Sequence, residues 1–255
     1  VLKMPTPQDD IGLIVYAPEL VGNDGRSLAV VHGMERAFPG LRLGWTTSEE
    51  GQRTLLANRD AWLAQQTFDG EFPLLHNGNM SDYVSVSGWA GSATSSSGGQ
   101  AQLEVHARLS LTADAIAAAA DVLEAIAEAA HAFWGHATPF NASVEISRQT
   151  VDPLQKPGVP PRGLPALKFP EHIRSPEIPQ YLGWLNYWSA ASSRALRFPD
   201  PSRDADLLSR ARHTASDGWI VRLTDAPLDL DNPAHLDALL RAYERFPEIG
   251  GRSST

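Results

Sequence analysis

Residues 103–134 carry the strongest folding instruction in the chain. Leu103, Val105, Ala107, Leu109 and Leu111 alternate strictly with polar residues, which is the period of a half-buried strand. Thr112 stands where a helix cap belongs. Beyond it Ile116, Ala120, Leu123, Ala127, Ala130 and Trp134 recur at steps of four and three, while Asp114, Asp121, Glu124, Glu128 and His131 take the opposite side. Gly135 is expected to end this helix. A strand with one apolar face feeding a helix with one apolar stripe asks for a helix packed on a sheet.

The remaining elements are read against that unit. Ile11–Ala17 is a short, partly β-branched apolar run stopped by Pro18, the mark of a buried strand. A helix follows over 26–38, stopped by Pro39-Gly40, then a strand over 41–46 and a short helix over 53–66 around Trp62 and Leu63. Strands at 72–76 and 83–89 flank the polar turn Asn77-Gly78-Asn79. The Gly/Ser run 91–100 has nothing to bury and is expected to be mobile. A strand is predicted at 144–149. Residues 151–180 hold eight of the nineteen prolines, so they are expected to form an extended connector. After it come helices near 180–197, 203–215 and 233–246, with one strand at 219–223. One strand cannot make a sheet alone, so it is expected to join the sheet of the first part. The reading is one α+β domain over 1–255, a mostly antiparallel curved sheet with helices packed on it.

Charge is distributed unevenly. Residues 1–150 carry 8 Lys and Arg against 17 Asp and Glu, whereas 151–255 carry 13 against 13, so the whole formal charge of −9 lies in the first part. An acidic body of this kind disfavours nucleic acid and anionic membranes as partners and favours a basic protein. The absence of cysteine excludes disulfides, thiolate zinc sites and a cysteine nucleophile. No apolar run reaches the roughly 18 residues of a membrane helix. Residues 1–10 are polar and contain proline, unlike a signal peptide, and a cytoplasmic location is expected. The opening residue is Val1 rather than Met, which leaves room for a segment upstream.

Motifs with strong catalytic meaning are missing: the Walker phosphate loop, G-x-G-x-x-G, G-x-S-x-G and H-E-x-x-H. Two weaker pairs stand out. His131 and His136 could offer imidazoles to a metal, but on a helix positions five apart diverge by about 140°. His32 and Glu35, three apart, can share a helix face as a minimal acid–base pair. Each is equally an ordinary surface or turn residue, and a small-molecule enzyme using either pair is the alternative reading. Trp184, Tyr187 and Trp188 fit a core better than a ligand groove. Asp225, Asp229 and Asp231 lack the ligand spacing of a calcium loop. No cofactor and no metal are expected.

The segments L-G-W-L-N-Y-W-S (182–189) and G-W-I-V-R-L-T-D-A-P-L-D-L-D-N-P-A-H-L (218–236) resemble the ending of immunity proteins of polymorphic-toxin and type VI secretion systems. The similarity is to the immunity protein 52 family and a related type VI immunity family. It rests on Gly183, Trp184, Tyr187, Asp229, Asn232, Pro233 and His235, which fit structural roles, and extends to F-P-L-L-H-N-G at 72–78. A further likeness, through H-A-F-W-G-H-A-T-P, is to an uncharacterised bacterial family. The opening departs from the W-G-x-R-x-E start of the immunity proteins. The resemblance implies a non-catalytic binder of a nuclease toxin. A nuclease presents a basic cleft to phosphate, so an acidic inhibitor steers onto it and occludes it. Loop acids Glu49, Glu50, Asp69 and Glu71 are the expected toxin contacts.

Overall fold

The alternating segment and its amphipathic helix are present as β6 (Gln102–Ser110) and α3 (Ala113–Ala130). The Thr112 side chain caps α3 by accepting from the Ala115 amide at 3.3 Å. These elements belong to a computed structural model that describes residues 9–22, 24–48, 50–67, 70–150 and 159–253. The other strands are β1 (Asp10–Pro18), β2 (Trp45–Thr47), β3 (Arg53–Leu55), β4 (Phe72–His76), β5 (Ser85–Gly91), β7 (Trp134–Pro139), β8 (Leu185–Trp188), β9 (Ala211–His213) and β10 (Trp219–Arg222). The other helices are α1 (Arg26–Ala37), α2 (Arg59–Gln66), α4 (Phe140–Ser147), α5 (Ala190–Ala195), α6 (Ala205–Leu208) and α7 (Pro233–Arg245).

All ten strands pair antiparallel in the order β3-β2-β4-β5-β6-β1-β7-β8-β10-β9. The architecture is α+β with a curved antiparallel sheet, as the sequence predicts. Successive residues of a strand point to opposite faces, and this alternation organises the molecule. On one face Ile11, Leu13, Val15 and Ala17 of β1 join Leu103, Val105, Ala107 and Leu109 of β6, all buried on the side of α3, against which α1 packs. The alanines of α3 allow α1 to come close. A Cβ on Gly33 of α1 would lie 3.1 Å from the Ala125 carbonyl oxygen, so a larger residue there would push the helices apart.

The opposite face is treated differently along its width. Over β7, β8 and β10 it is covered by residues 159–182 and by the chain from α5 to α7. Trp188 of β8 is fully buried, with its ring 5.1 Å from Phe198 and 5.0 Å from Phe246. Tyr243 of α7 accepts from the Leu182 amide at 3.2 Å and from Gln149 Nε2 at 3.0 Å, tying α7 to both ends of the proline-rich stretch. Leu164, Leu167 and Ile173 from that stretch are buried; residues 151–158 of the predicted connector lie outside the described residues. Over the middle of β5 and β6 this face is open, from Ser87 and His106 to Trp89 and Glu104, while Ser85 and Gln102 toward the two ends are buried.

Several expectations are corrected. The helix ends at Ala130, where His131 adopts a left-handed conformation with φ of 57°, short of the predicted Trp134, which instead opens strand β7. Residues predicted as a strand at 144–149 fall mostly in α4, and β2 starts at Trp45, later than expected. Arg53–Leu55 is an edge strand, so the following helix begins only at Arg59. The C-terminal part supplies three strands, not one: Leu185–Trp188 and Ala211–His213 lie where the sequence predicts helix. The 91–100 loop is anchored: the Gly98 amide donates to the Ile173 carbonyl at 2.8 Å, and Ser96 and Ser97 are buried.

Candidate functional site

The open part of the sheet face is built by the polar phase of β5 and β6. Ser85, Ser87 and Trp89 on β5 stand opposite Arg108, His106 and Glu104 on β6. Across β6, Glu104 faces Tyr16 and His106 faces Ile14 of β1. Glu71 precedes Phe72, whose partner is Gly88, so antiparallel register sets Glu71 opposite Trp89. One transverse row therefore reads Glu71, Trp89, Glu104, Tyr16, Trp134, Trp188, Trp219 and His213. It is exposed at its Glu71 end and buried from Trp134 to Trp188.

Trp89 is the exposed anchor of this row, with 57% of its surface accessible. Its indole is fixed from both sides. Nε1 donates to Ser87 Oγ at 3.1 Å, and the His106 ring meets it edge-on at 6.4 Å. Glu104 bonds His106 Nε2 through Oε2 at 3.2 Å. Its Oε1 turns toward Gly91, 3.4 Å from where a Cβ would stand. Burial, reinforced by the Glu104 carboxylate, pushes the Tyr16 hydroxyl far above its ordinary range, so Tyr16 is neutral at any physiological pH. Its ring stacks on Trp134 at 4.1 Å and closes the row.

Register gathers carboxylates at this end of the strands. The β2–β3 turn that carries Glu50 extends past Thr47 toward the Phe72 end of β4, and Glu19 follows β1 beyond Pro18. Glu19, Glu50 and Glu71 are exposed. The Glu50 carboxyl is held below the usual range by hydrogen bonding to Ser48. Two arginines of the first six strands and their helices stand nearby. Arg26 is consumed by Asp24 and by the carbonyls of Pro18 and Glu19 at 2.8 and 2.6 Å; Arg53 is exposed on β3. Arg108 lies at the far end of the face, paired with Asp10.

Of the four acids expected to meet a partner, Glu71 falls in the Trp89 row and Glu50 on the adjoining turn. Glu49 and Asp69 lie outside the described residues. Trp89 and Glu104 escape sequence reasoning, although Trp89 shares its strand phase with Ser85 and Ser87 rather than with Val86. That aromatic in a polar phase is the available signal.

The histidine pairs are not brought together. His32 Nε2 bonds Asp60 Oδ2 at 2.9 Å, while Glu35 is taken by Arg59 at 2.5 Å and by the Leu43 amide at 2.8 Å. His131 is an exposed helix cap on the α3 side, whereas His136 is buried on the other face of β7. Desolvation lowers the His136 pKa to about 4, leaving it neutral with Nδ1 3.2 Å from Thr138 Oγ1. Asp231 is paired with Arg162 at 2.7 Å. Among the described residues no group of three or more His, Asp or Glu is placed to hold a metal ion. A cleft of about 630 Å³ at the opposite end of the strands, near Leu111, Phe140 and Arg148, gathers neither histidine pair.

The motif residues of the C-terminal part serve the frame. A Cβ on Gly183 would sit 2.3 Å from Thr138 Oγ1, so only glycine lets β8 approach β7 there. Trp184 is buried and donates to the Thr224 carbonyl at 2.9 Å. Tyr187 donates to Glu128 of α3 at 3.1 Å. Asn232 caps α7 by accepting from the Ala234 amide at 3.0 Å, Pro233 fills the first helical position, and His235 Nδ1 accepts from the Asp229 amide at 3.1 Å.

This chain belongs to the family described as "Domain of unknown function (DUF5953)", whose model matches residues 22–254. The family assigned is thus not one of the immunity families that its C-terminal motifs resemble. No curated protein matches the chain. Among solved structures, the Pseudomonas aeruginosa T6SS protein PA0821 is similar, with a TM-score of 0.49 and 15% identity, over 92% of this chain and 76% of that one. Among the described residues, no helix is long and apolar enough to cross a membrane.

Proposed function

We propose that this protein is an immunity protein, which binds a cognate secreted toxin of basic surface, a nuclease, and neutralises it by occlusion. The observation that carries this reading is the open end of the sheet, where the exposed Trp89 stands between Glu71 and Glu104 with further carboxylates around it. Aromatic residues are enriched at protein interfaces, where an exposed aromatic flanked by charge can serve as an anchor for a partner of complementary charge. The acidic excess of residues 1–150 adds long-range attraction for a basic partner. The resemblance of the C-terminal motifs to toxin-immunity proteins supplies the biological setting, with the cytoplasm as the place of action. Neither a catalytic group nor a cofactor is needed for inhibition by occlusion.

Co-expression provides the test. Cells producing the secreted toxin encoded beside this protein should survive when it is present and die when it is absent. The purified pair should associate with an affinity that falls steeply as salt is raised, since exposed charges are screened within about 8 Å at physiological ionic strength. Survival unaffected by the protein, with no complex at low salt, would sink the reading.

A further inference from the structure

We infer that the Trp89 end of the sheet is a receptor for an arginine side chain of the partner, seated over the indole with its guanidinium on Glu104. This rests on the reading of the protein as a binder of a basic protein, and narrows it to one recognition element. Three observations support the inference. The indole is pre-oriented by its bond to Ser87 and by His106, with more than half of its surface exposed. Holding the ring in place before binding removes an ordering cost from the encounter. Glu104 stands directly opposite Trp89 in the β5–β6 register, the separation at which cross-strand side chains touch. Gly91, two residues on and on the same face, leaves room for Ser96 Oγ and Glu104 Oε1 to come within 2.9 and 3.4 Å of where its Cβ would stand.

The chemistry selects arginine over lysine. A guanidinium is planar, stacks on an aromatic face and presents a fork of donors to a carboxylate, whereas an ammonium is a strongly hydrated point charge. Glu104 has one oxygen engaged by His106, and Glu71 lies on the other side of the indole by register, so a guanidinium over the ring meets negative charge from both flanks. Arg108, the cation further along β6, is neutralised by Asp10 and does not oppose the approach.

Nuclear magnetic resonance of the full chain tests this without the natural partner. The chain has seven tryptophans, and Trp89→Phe identifies the Trp89 indole signal. Capped tetra-arginine, titrated at low salt, should shift that signal saturably and leave the six other indoles unmoved, with tetra-lysine clearly weaker. Glu104→Gln should reduce tetra-arginine affinity at least threefold while the unmoved indoles report an intact fold. Equal response to both peptides, a Trp89 signal that stays in place, or a response indifferent to Glu104→Gln would each overturn the inference. With the toxin itself, Trp89→Ala should weaken binding about 30-fold, as for an interface hot spot. The two readings fail separately. Peptide recognition without protection of cells leaves the arginine site standing and removes the immunity role. Protection with a silent Trp89 does the reverse.

Discussion

Trp188 and Trp89 point to the same face of one sheet, four strands apart in a single transverse row, yet one is fully buried and the other mostly exposed. Nothing in their own strands accounts for the difference. Trp188 is covered because the chain from α5 to α7 folds back over β7, β8 and β10, bringing Phe198 and Phe246 edge-on to its ring. That cover stops short of Trp89. An aromatic side chain thus takes a structural role, or is left free for the recognition role proposed for Trp89, according to whether a later part of the chain reaches it.

Substitutions at the two positions should separate these roles. Trp188→Ala removes the centre of a packed aromatic cluster and should cost about 3–5 kcal/mol in urea unfolding. Close behind comes the pH dependence of the covered half. The folded pKa of His136, about 4, lies below its ordinary value of 6.5, so as pH falls the unfolded chain takes up its proton first. Its contribution is therefore complete above 6.5 and is lost as pH falls toward about 4. The full loss amounts to about 3 kcal/mol. A His136→Asn variant should show a much flatter decline of stability over that window. Some slope should remain, because burial also lowers the pKa of His76. An unchanged slope would show that His136 is not buried neutral.

Smaller effects follow at the edges of the cover. Asn232→Ala deletes the α7 cap and should cost about 1 kcal/mol, read as a lower thermal midpoint. Arg212→Ala breaks the pairs to Asp121 and Glu124 of α3 at 2.5 and 2.6 Å. The groups are partly exposed, so a loss below about 1 kcal/mol is expected, shrinking further in salt. Trp89→Ala should be the mildest, within about 0.5 kcal/mol of the parent. Thermal or urea unfolding of this set tests the comparison directly, and it collapses if Trp89→Ala destabilises as much as Trp188→Ala.

The parts of this fold that are legible in the sequence are those with one wet side. β6 and α3 each show a period because polar residues mark their solvent-facing phase, and α7 is announced by Asn232 and Pro233. β7 and β8 are buried along their whole length, so their polar residues His136, Thr138 and Asn186 mark no solvent-facing phase. In the sequence Trp134 reads as the end of the preceding helix and 135–139 takes no element, while β8 reads as an aromatic helix face. α4 reads as a strand because Val144 and Ile146 are β-branched, a local preference that tertiary contacts override. The candidate surface is half visible. Acidic loop positions draw attention to Glu50 and Glu71, but the centre of the surface is made by strand residues, and only cross-strand register joins Trp89 to Glu104.

The alternation of β5 and β6 also separates two kinds of inheritance. Val86, Val105, Ala107 and Leu109 face the helices and are constrained by what they touch. Ser87, Trp89, Glu104 and His106 face outward and can be exchanged without disturbing a single helix contact. A lineage pressed to follow a changing adversary can therefore rewrite the outward phase of two adjacent strands while the inward phase holds the architecture constant. Variation among relatives should then run every second residue along these strands, a rhythm that loop-borne recognition would not produce.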